Sequence, residues 1–172
     1  MRIAIVARAD LPDAAIDLMN TAFPEDPPEE SREFWSSIDH SVHALVYEGE
    51  RLVGHAAIVD RALYVAGRKI ETAYVEYVCA EPQRQGYGSA AMRAIREEIE
   101  RRDYQLAALA TGSPEFYARL GWPLWRGPSA YRAPDGTVVP TPDEHPMVLD
   151  LGANVNLDEP IACDWRAVGD IW

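Results

Sequence analysis

The chain has 172 residues, 28 acidic against 16 basic side chains for a net charge of −12, and 48% hydrophobic residues with only two cysteines. The acidity argues against a nucleic-acid partner, and the lack of a long apolar run argues against a membrane span. Cys79 and Cys163 make no disulfide framework and point to a reducing cytoplasm; the opening residues 1–8 are too short an apolar stretch for a signal peptide. Length and composition suit one domain spanning residues 1–172.

Residues 2–9 alternate loosely and predict a first strand. Asp10 is placed to cap a helix with Pro12 in its first turn, and Ile16, Met19 and Phe23 recur on one face. Three prolines make residues 24–31 a loop, with a short helix expected over residues 32–38. Residues 42–47 and 52–59 read as strands joined by a hairpin turn at residues 48–50. Residues 63–66, a turn at Gly67 and residues 70–80 continue the meander. Ser89 is expected to cap a helix running to about Arg102, with Met92, Ile95 and Ile99 inward. A buried strand over residues 105–110 follows, then a helix begun by Ser113 and Pro114 and ended by Gly121. Asp135-Gly136 predicts a hairpin turn, and residues 147–151 a last strand. This order implies an α/β fold with a mixed sheet and helices on both faces.

The charge is unevenly spread. Residues 1–50 carry net −8, residues 51–133 net +3 and residues 134–172 net −7. The positive block contains the run Gln83-Arg-Gln-Gly-Tyr-Gly88, in which a strand empties into a glycine turn that opens a helix. That arrangement aims backbone N–H groups and a helix N-terminus at one point, a site for a phosphate anion. The acidic flanks suit a cationic second substrate.

Glu76 stands among apolar and aromatic neighbours in Tyr74-Val-Glu-Tyr-Val-Cys79, where a charge needs a partner or a task. Burial there would raise its pKa toward that of a useful base; an ion pair with Arg93 or Arg96 is the alternative. Tyr117 lies on the helix after the residue 105–110 strand, where it is either core packing or a proton donor to a departing thiolate. The aromatic tail, with Trp165 and Trp172, is expected to fold back and bring Asp170 and the terminal carboxylate with it. His40, His43, His55 and His145 show no metal-ligand spacing; His55 reads as a satisfied core histidine.

The Gln/Arg-x-x-Gly-x-Gly spacing resembles the acyl-CoA loop of the GNAT N-acetyltransferases. Val42-His-Ala-Leu-Val-Tyr47, Gly54-His-Ala-Ala57, Tyr74-Val-Glu76, Tyr104-Gln-Leu106, Leu120-Gly-Trp122, Thr141-Pro-Asp143 and Cys163-Asp-Trp-Arg166 through Trp172 extend the likeness over nearly the whole chain. Together they resemble the aminoglycoside 2′-N-acetyltransferases. The resemblance implies the GNAT fold, with a splay between two central strands, and acetyl transfer from acetyl-CoA to an aminoglycoside antibiotic. It implies a water-mediated base at Glu76 and an acid at Tyr117. The cofactor cradle would comprise Val78, Cys79 and Ala80 with Gln85, Gly86, Tyr87, Gly88, Ser89 and Ala90. Asp26, Tyr77, Asp143, Glu144, Asp170 and the Trp172 carboxylate would surround the aminoglycoside, and a homodimer is implied. The chain departs from the family in a longer proline-rich loop after Phe23, in Ala110 at a small hydroxyl position beside Thr111, and in Glu144 for an aspartate. Those changes alter the pocket and admit a differently shaped aminoglycoside such as kasugamycin. Acetylation of another polyamine or of a protein amine, and a non-catalytic acyl-CoA-binding module, are the competing readings.

Overall fold

The first strand is apolar from Ile3 to Ala7, with Ile3 and Ile5 exposed and Ala4 and Val6 half-buried. In a computed structural model describing residues 1–172, β1 (Arg2–Ala7) runs antiparallel to β2 (Ser41–Glu48), with Ile3 opposite Val46 and Ile5 opposite Ala44. A turn through Gly49, at φ +60, reverses the chain into β3 (Arg51–Val65), and β4 (Arg68–Ala80) follows the turn at Ala66-Gly67. The chain folds as two compact units. The first comprises Met1–Val59 and Val75–Arg102, the second Asp60–Tyr74 and Asp103–Trp172, so β3 and β4 each supply residues to both.

In the first unit β2 pairs antiparallel with the opening of β3, Val42 opposite Ile58 and Ala44 opposite Ala56. Two helices connect β1 to β2. The first, α1 (Asp13–Ala22), buries Ala15, Ile16, Leu18 and Met19, and α2 (Glu30–Ser37) buries Phe34 and Trp35. They are tied where Trp35 Nε1 donates to Met19 Sδ at 3.1 Å. The third helix, α3 (Tyr87–Glu100), lies against β2 and buries Met92, Ile95 and Ile99 on the face that its periodicity predicts. Fully burying each such side chain is worth about 1.5–3 kcal/mol.

The strands make one nine-strand sheet. Its later members are β5 (Leu106–Ala110), β6 (Ser129–Arg132), β7 (Val138–Pro140), β8 (Pro146–Asp150) and β9 (Ile161–Asp164); its main path runs β7-β6-β9-β3-β4-β5-β8, with β2 also paired to β3 and β1 to β2. Parallel pairs (β4 with β5, β6 with β9) alternate with antiparallel ones, which makes the sheet mixed. The β4–β5 ladder registers Thr72 to Tyr74 against Leu106 to Ala108 and ends there, short of Ala80, in keeping with the expected splay. The short helix α4 (Pro114–Ala118) carries Pro114 in its first turn. No helix of the protein is long and apolar enough to cross a membrane.

Several local expectations are corrected. Asp10 caps nothing: Arg8–Asp10 is a 3₁₀ turn, and α1 begins after Pro12, whose fixed φ and extended ψ of 152° stop a helix from starting earlier. Ser89 lies inside the first turn of α3, because Gly86 at φ +83 supplies the left-handed residue that lets the helix open at Tyr87. The strands expected over residues 52–59 and 63–66 are parts of one unbroken β3, which ends at Val65. β6 and β7 are the arms of the hairpin expected at Asp135-Gly136, Arg132 opposite Val138. β9 was not expected as a strand: it has four residues, and its partners β3 and β6 are distant in sequence.

Candidate functional site

In the first unit the end of β4 and the start of α3 form one continuous feature. Cys79 is buried and Val78 and Ala80 are half-buried as β4 closes; Glu81 N then donates to the Val53 carbonyl at 3.0 Å. The following loop passes through two left-handed residues, Arg84 at φ +63 and Gly86 at φ +83. The Gly86 carbonyl accepts from Ala90 N at 2.9 Å, leaving the N–H groups of Tyr87, Gly88 and Ser89 at the open end of a fourteen-residue helix. No acidic side chain lies in that first turn, and a Cβ built on Gly86 meets nothing within 4 Å. An exposed helix N-terminus without competing carboxylates, reached through a left-handed glycine, fits the pyrophosphate of a coenzyme A thioester. Gln85 and Gly86 are exposed, Gly88 and Ser89 half-buried, and Tyr87 and Ala90 buried, so the cradle faces solvent on one side only.

Tyr87 anchors the cradle. Its hydroxyl donates to Glu48 Oε2 at 2.5 Å, which raises its pKa, and its Cβ and carbonyl sit over Gly54. A Cβ at residue 54 would stand 3.1 Å from the Tyr87 Cβ and 3.2 Å from its carbonyl oxygen. Gly54 is thus the residue that lets α3 start where it does.

Glu76 and Tyr77 precede the cradle on the same strand. Tyr77 takes φ +48, an unusual state for a bulky residue, costing on the order of 1–3 kcal/mol unless its surroundings hold it. Strand alternation stops there: Glu76, Tyr77 and Val78 are all half-buried. Glu76 is therefore less enclosed than its apolar neighbours in sequence suggest. The Tyr77 ring packs against Phe23, Phe34 and Trp35, with centroids 5.7, 5.2 and 5.5 Å away. Asp26 sits exposed in the turn that Asp26 N closes onto the Phe23 carbonyl at 3.2 Å. The aromatic contact of Phe23 thus links the loop bearing Asp26 to β4.

Beneath Tyr77 lies a buried polar chain that sequence reasoning left unconnected. His55 Nδ1 is 2.7 Å from the Tyr77 carbonyl, His55 Nε2 is 2.9 Å from His43 Nδ1, and His43 Nε2 is 2.7 Å from Ser41 Oγ. Both rings are wholly buried. Burial pushes the His43 pKa down to about 3, helped by His55 and Arg8, and the His55 pKa down to about 4 against the opposing pull of the Tyr77 carbonyl. His55 is the satisfied core histidine that its strand setting predicts. The same environment works on Cys79, whose thiol burial pushes up to about 12, too high for a nucleophile.

The second unit gathers the acidic candidates. Trp172 is buried, and its Nε1 donates to Thr141 Oγ1 at 3.0 Å; Thr141 Oγ1 donates in turn to Ser129 Oγ at 3.0 Å. Glu144 N closes the turn onto the Thr141 carbonyl at 3.1 Å, so the residue that receives Trp172 also fixes the turn carrying Asp143 and Glu144. Partial desolvation raises the Glu144 pKa first, and the negative charges of Asp170 and Asp143 raise it further against the opposing pull of His145. The tail bearing Asp170 is pinned by hydrogen bonds to its carbonyls. Arg61 Nη2 donates to those of Asp164 (3.1 Å) and Ile171, Cys163 Sγ donates to that of Ile171 (3.2 Å), and Arg166 Nε donates to that of Asp170. Arg61 is held for this by stacking on Tyr74, 4.6 Å from the ring centroid. Tyr117 lies in α4 with its side chain mostly buried and edge-on to Phe116 at 4.8 Å, while its carbonyl accepts from Leu120 N and Trp122 N. Trp165, expected to fold back, is 45% exposed; of the two tail tryptophans only Trp172 docks.

Residues 5–125 match the family model described as an acetyltransferase (GNAT) domain. The aminoglycoside 2′-N-acetyltransferase of Mycolicibacterium fortuitum is 35% identical over 147 residues, covering 80% of this chain and 74% of that relative. Among solved structures, a probable N-acyltransferase from Enterococcus faecalis V583 superposes with a TM-score of 0.63 at 21% identity, covering 74% of this chain; this chain spans only 33% of that one. An aminoglycoside 6′-N-acetyltransferase complexed with coenzyme A gives a TM-score of 0.64 at 14% identity, covering 91% of this chain and 100% of that one. The phosphate-ready opening of α3, the mixed sheet and these matches agree: the chain belongs to the GNAT acetyltransferase family and is an acetyl-CoA-dependent N-acetyltransferase.

Proposed function

We propose that the acceptor is an aminoglycoside and that the acetyl group goes to its 2′-amino nitrogen. The observation that carries this reading is the 35% identity, over 74% of its length, to a relative bearing that activity in its name. The acidic cluster supports it. Partial desolvation, and after it the charges of Asp170 and Asp143, raise the Glu144 pKa, a penalty on its ionised form that a polycationic ligand would relieve.

Acetyl-CoA, when bound, supplies the acyl group as an activated thioester. The N–H groups at the start of α3 would hold its phosphates, and the end of β4, residues 78–80, which lies beyond the last pair with β5 at Tyr74, would receive its amide-bearing arm as an added strand. Glu76 accepts a proton from the substrate ammonium, directly or through one water, and so exposes the nitrogen lone pair. Tyr117 gives its phenolic proton to the departing sulfur. Asp26, Tyr77, Asp143, Glu144, Asp170 and Trp172 orient the aminoglycoside. The longer side chain at Glu144 reshapes that pocket, in the direction of a kasugamycin-like substrate. The enzyme acts in the cytoplasm as a homodimer, as one domain over residues 1–172, and confers antibiotic resistance.

A panel assay tests the acceptor. Coenzyme A release should be fastest with aminoglycosides that carry a free 2′-amino group and should fall to background with matched compounds lacking it. A higher kcat/KM for a linear polyamine or a peptide N-terminus would overturn the reading.

A further inference from the structure

We propose that His55 is a positioning residue for Glu76, holding the left-handed backbone of β4 at Tyr77 through a hydrogen-bond chain with one fixed proton direction. The inference rests on the reading of Glu76 as the base. Its geometry lies wholly within the first unit.

The Tyr77 carbonyl has no proton to give, so His55 Nδ1, at 2.7 Å, must carry one. A neutral His55 then presents a bare Nε2, and His43 Nδ1, at 2.9 Å, must be the donor to it. His43 Nε2 is left bare in turn and accepts from the Ser41 hydroxyl at 2.7 Å. One tautomer at each ring satisfies every group, and reversing either ring leaves a buried acceptor facing an acceptor. Proton direction runs from Ser41 to Tyr77 and ends on the one residue of β4 with a left-handed backbone.

Trp35 packs on the chain from the side, 4.5 Å from the His43 ring and 6.1 Å from that of His55, and it also touches the Tyr77 ring. Tyr77 is therefore gripped twice, at its carbonyl by His55 and at its ring by Phe23, Phe34 and Trp35. In a regular pleat residue 76 would share the face of Tyr74, which is 1% exposed. The left-handed residue at Tyr77 interrupts that alternation, and Glu76 is half-buried where Tyr74 is buried. His43 and His55 themselves touch neither the acetyl donor nor the acceptor; His55 acts through the Tyr77 backbone.

The test combines spectroscopy on the unaltered protein with a mutant cycle. Nitrogen-15 NMR of the histidine side chains should show His55 and His43 neutral with the proton on Nδ1 in both; a proton on His55 Nε2 overturns the proposal even if no variant folds. His55→Leu should lower kcat about 100-fold, the scale of a misplacement near 1 Å, with the KM for acetyl-CoA little changed. His55→Asn, whose amide N–H occupies the place of Nδ1, should restore most of that loss. The double variant Glu76→Gln/His55→Leu should be no slower than Glu76→Gln alone. Parent-like kcat in His55→Leu, an Asn variant as poor as Leu, or losses that multiply in the double variant would each overturn it. Parent-like activity in Glu76→Gln alone would instead overturn the assignment of the base.

Discussion

Glu76 sits one residue before a left-handed tyrosine and two before the end-of-strand backbone at residues 78–80, and its side chain is only half-buried. Replacing it by glutamine keeps the shape but removes the proton acceptor. Glu76→Gln should lower kcat/KM by about 10²–10⁴-fold at neutral pH, the span of a general base. The deficit should shrink at high pH, where the substrate amine loses its proton unaided; an unchanged deficit across the pH range would assign Glu76 a purely structural role. A charge among apolar strand residues marks Glu76 as a candidate in the sequence. The left-handed φ of Tyr77 was not, because tyrosine carries no local signal for it and the surrounding packing imposes it. The His43–His55 contact was hidden for a related reason. The two residues face each other diagonally, since Leu45 registers with His55 and His43 with Ala57, and that register is known only once β2 and β3 pair.

At the scale of elements, the start of α3 is the proposed cofactor site, and two glycines set it in different ways. Gly86 faces open space at φ +83, a conformation that aspartate tolerates better than most residues. Gly86→Asp should therefore fold normally yet weaken acetyl-CoA binding by placing a carboxylate before the helix N-terminus; calorimetry showing parent-like affinity would move the phosphates elsewhere. Gly54→Ala works from below, pressing a methyl group to 3.1 Å from the Tyr87 Cβ and 3.2 Å from its carbonyl oxygen. Overpacking of this kind costs about 1–3 kcal/mol, and here it must also shift the first turn of α3. The expected result is a lower unfolding midpoint in urea together with a raised KM for acetyl-CoA; a stability loss without a KM change would separate Gly54 from the cradle. The long elements were readable because their periodicity is local: the core faces of α1 and α3, and strands β2 to β5. The helix starts were misjudged by two or three residues, at Pro12 and Gly86, where proline geometry and a left-handed glycine outweigh side-chain capping signals.

Across the whole molecule, two neutral buried histidines tie stability to pH. His43 and His55 have folded pKa values of about 3 and about 4, below the ordinary 6.5, so below pH 6.5 the unfolded chain binds protons that the folded one refuses. Their stabilisation is complete above pH 6.5 and is lost as pH falls toward 4, at about 1 kcal/mol per histidine per pH unit. The urea midpoint should accordingly drop between pH 7 and pH 5, before most carboxylates titrate; a flat profile over that range would contradict neutral burial. Charge is also distributed at this scale, with net +3 over residues 51–133, which contain the proposed phosphate cradle, and net −7 over residues 134–172, which contain Asp143, Glu144 and Asp170. That division suits an anionic donor and a cationic acceptor. The acceptor assignment is tested most directly by locating the new bond. The product of an aminoglycoside incubated with the enzyme and acetyl-CoA should carry one acetyl group, placed by NMR on the 2′ nitrogen. An acetyl group on any other amine, or no product with any 2′-amino aminoglycoside, would contradict the account.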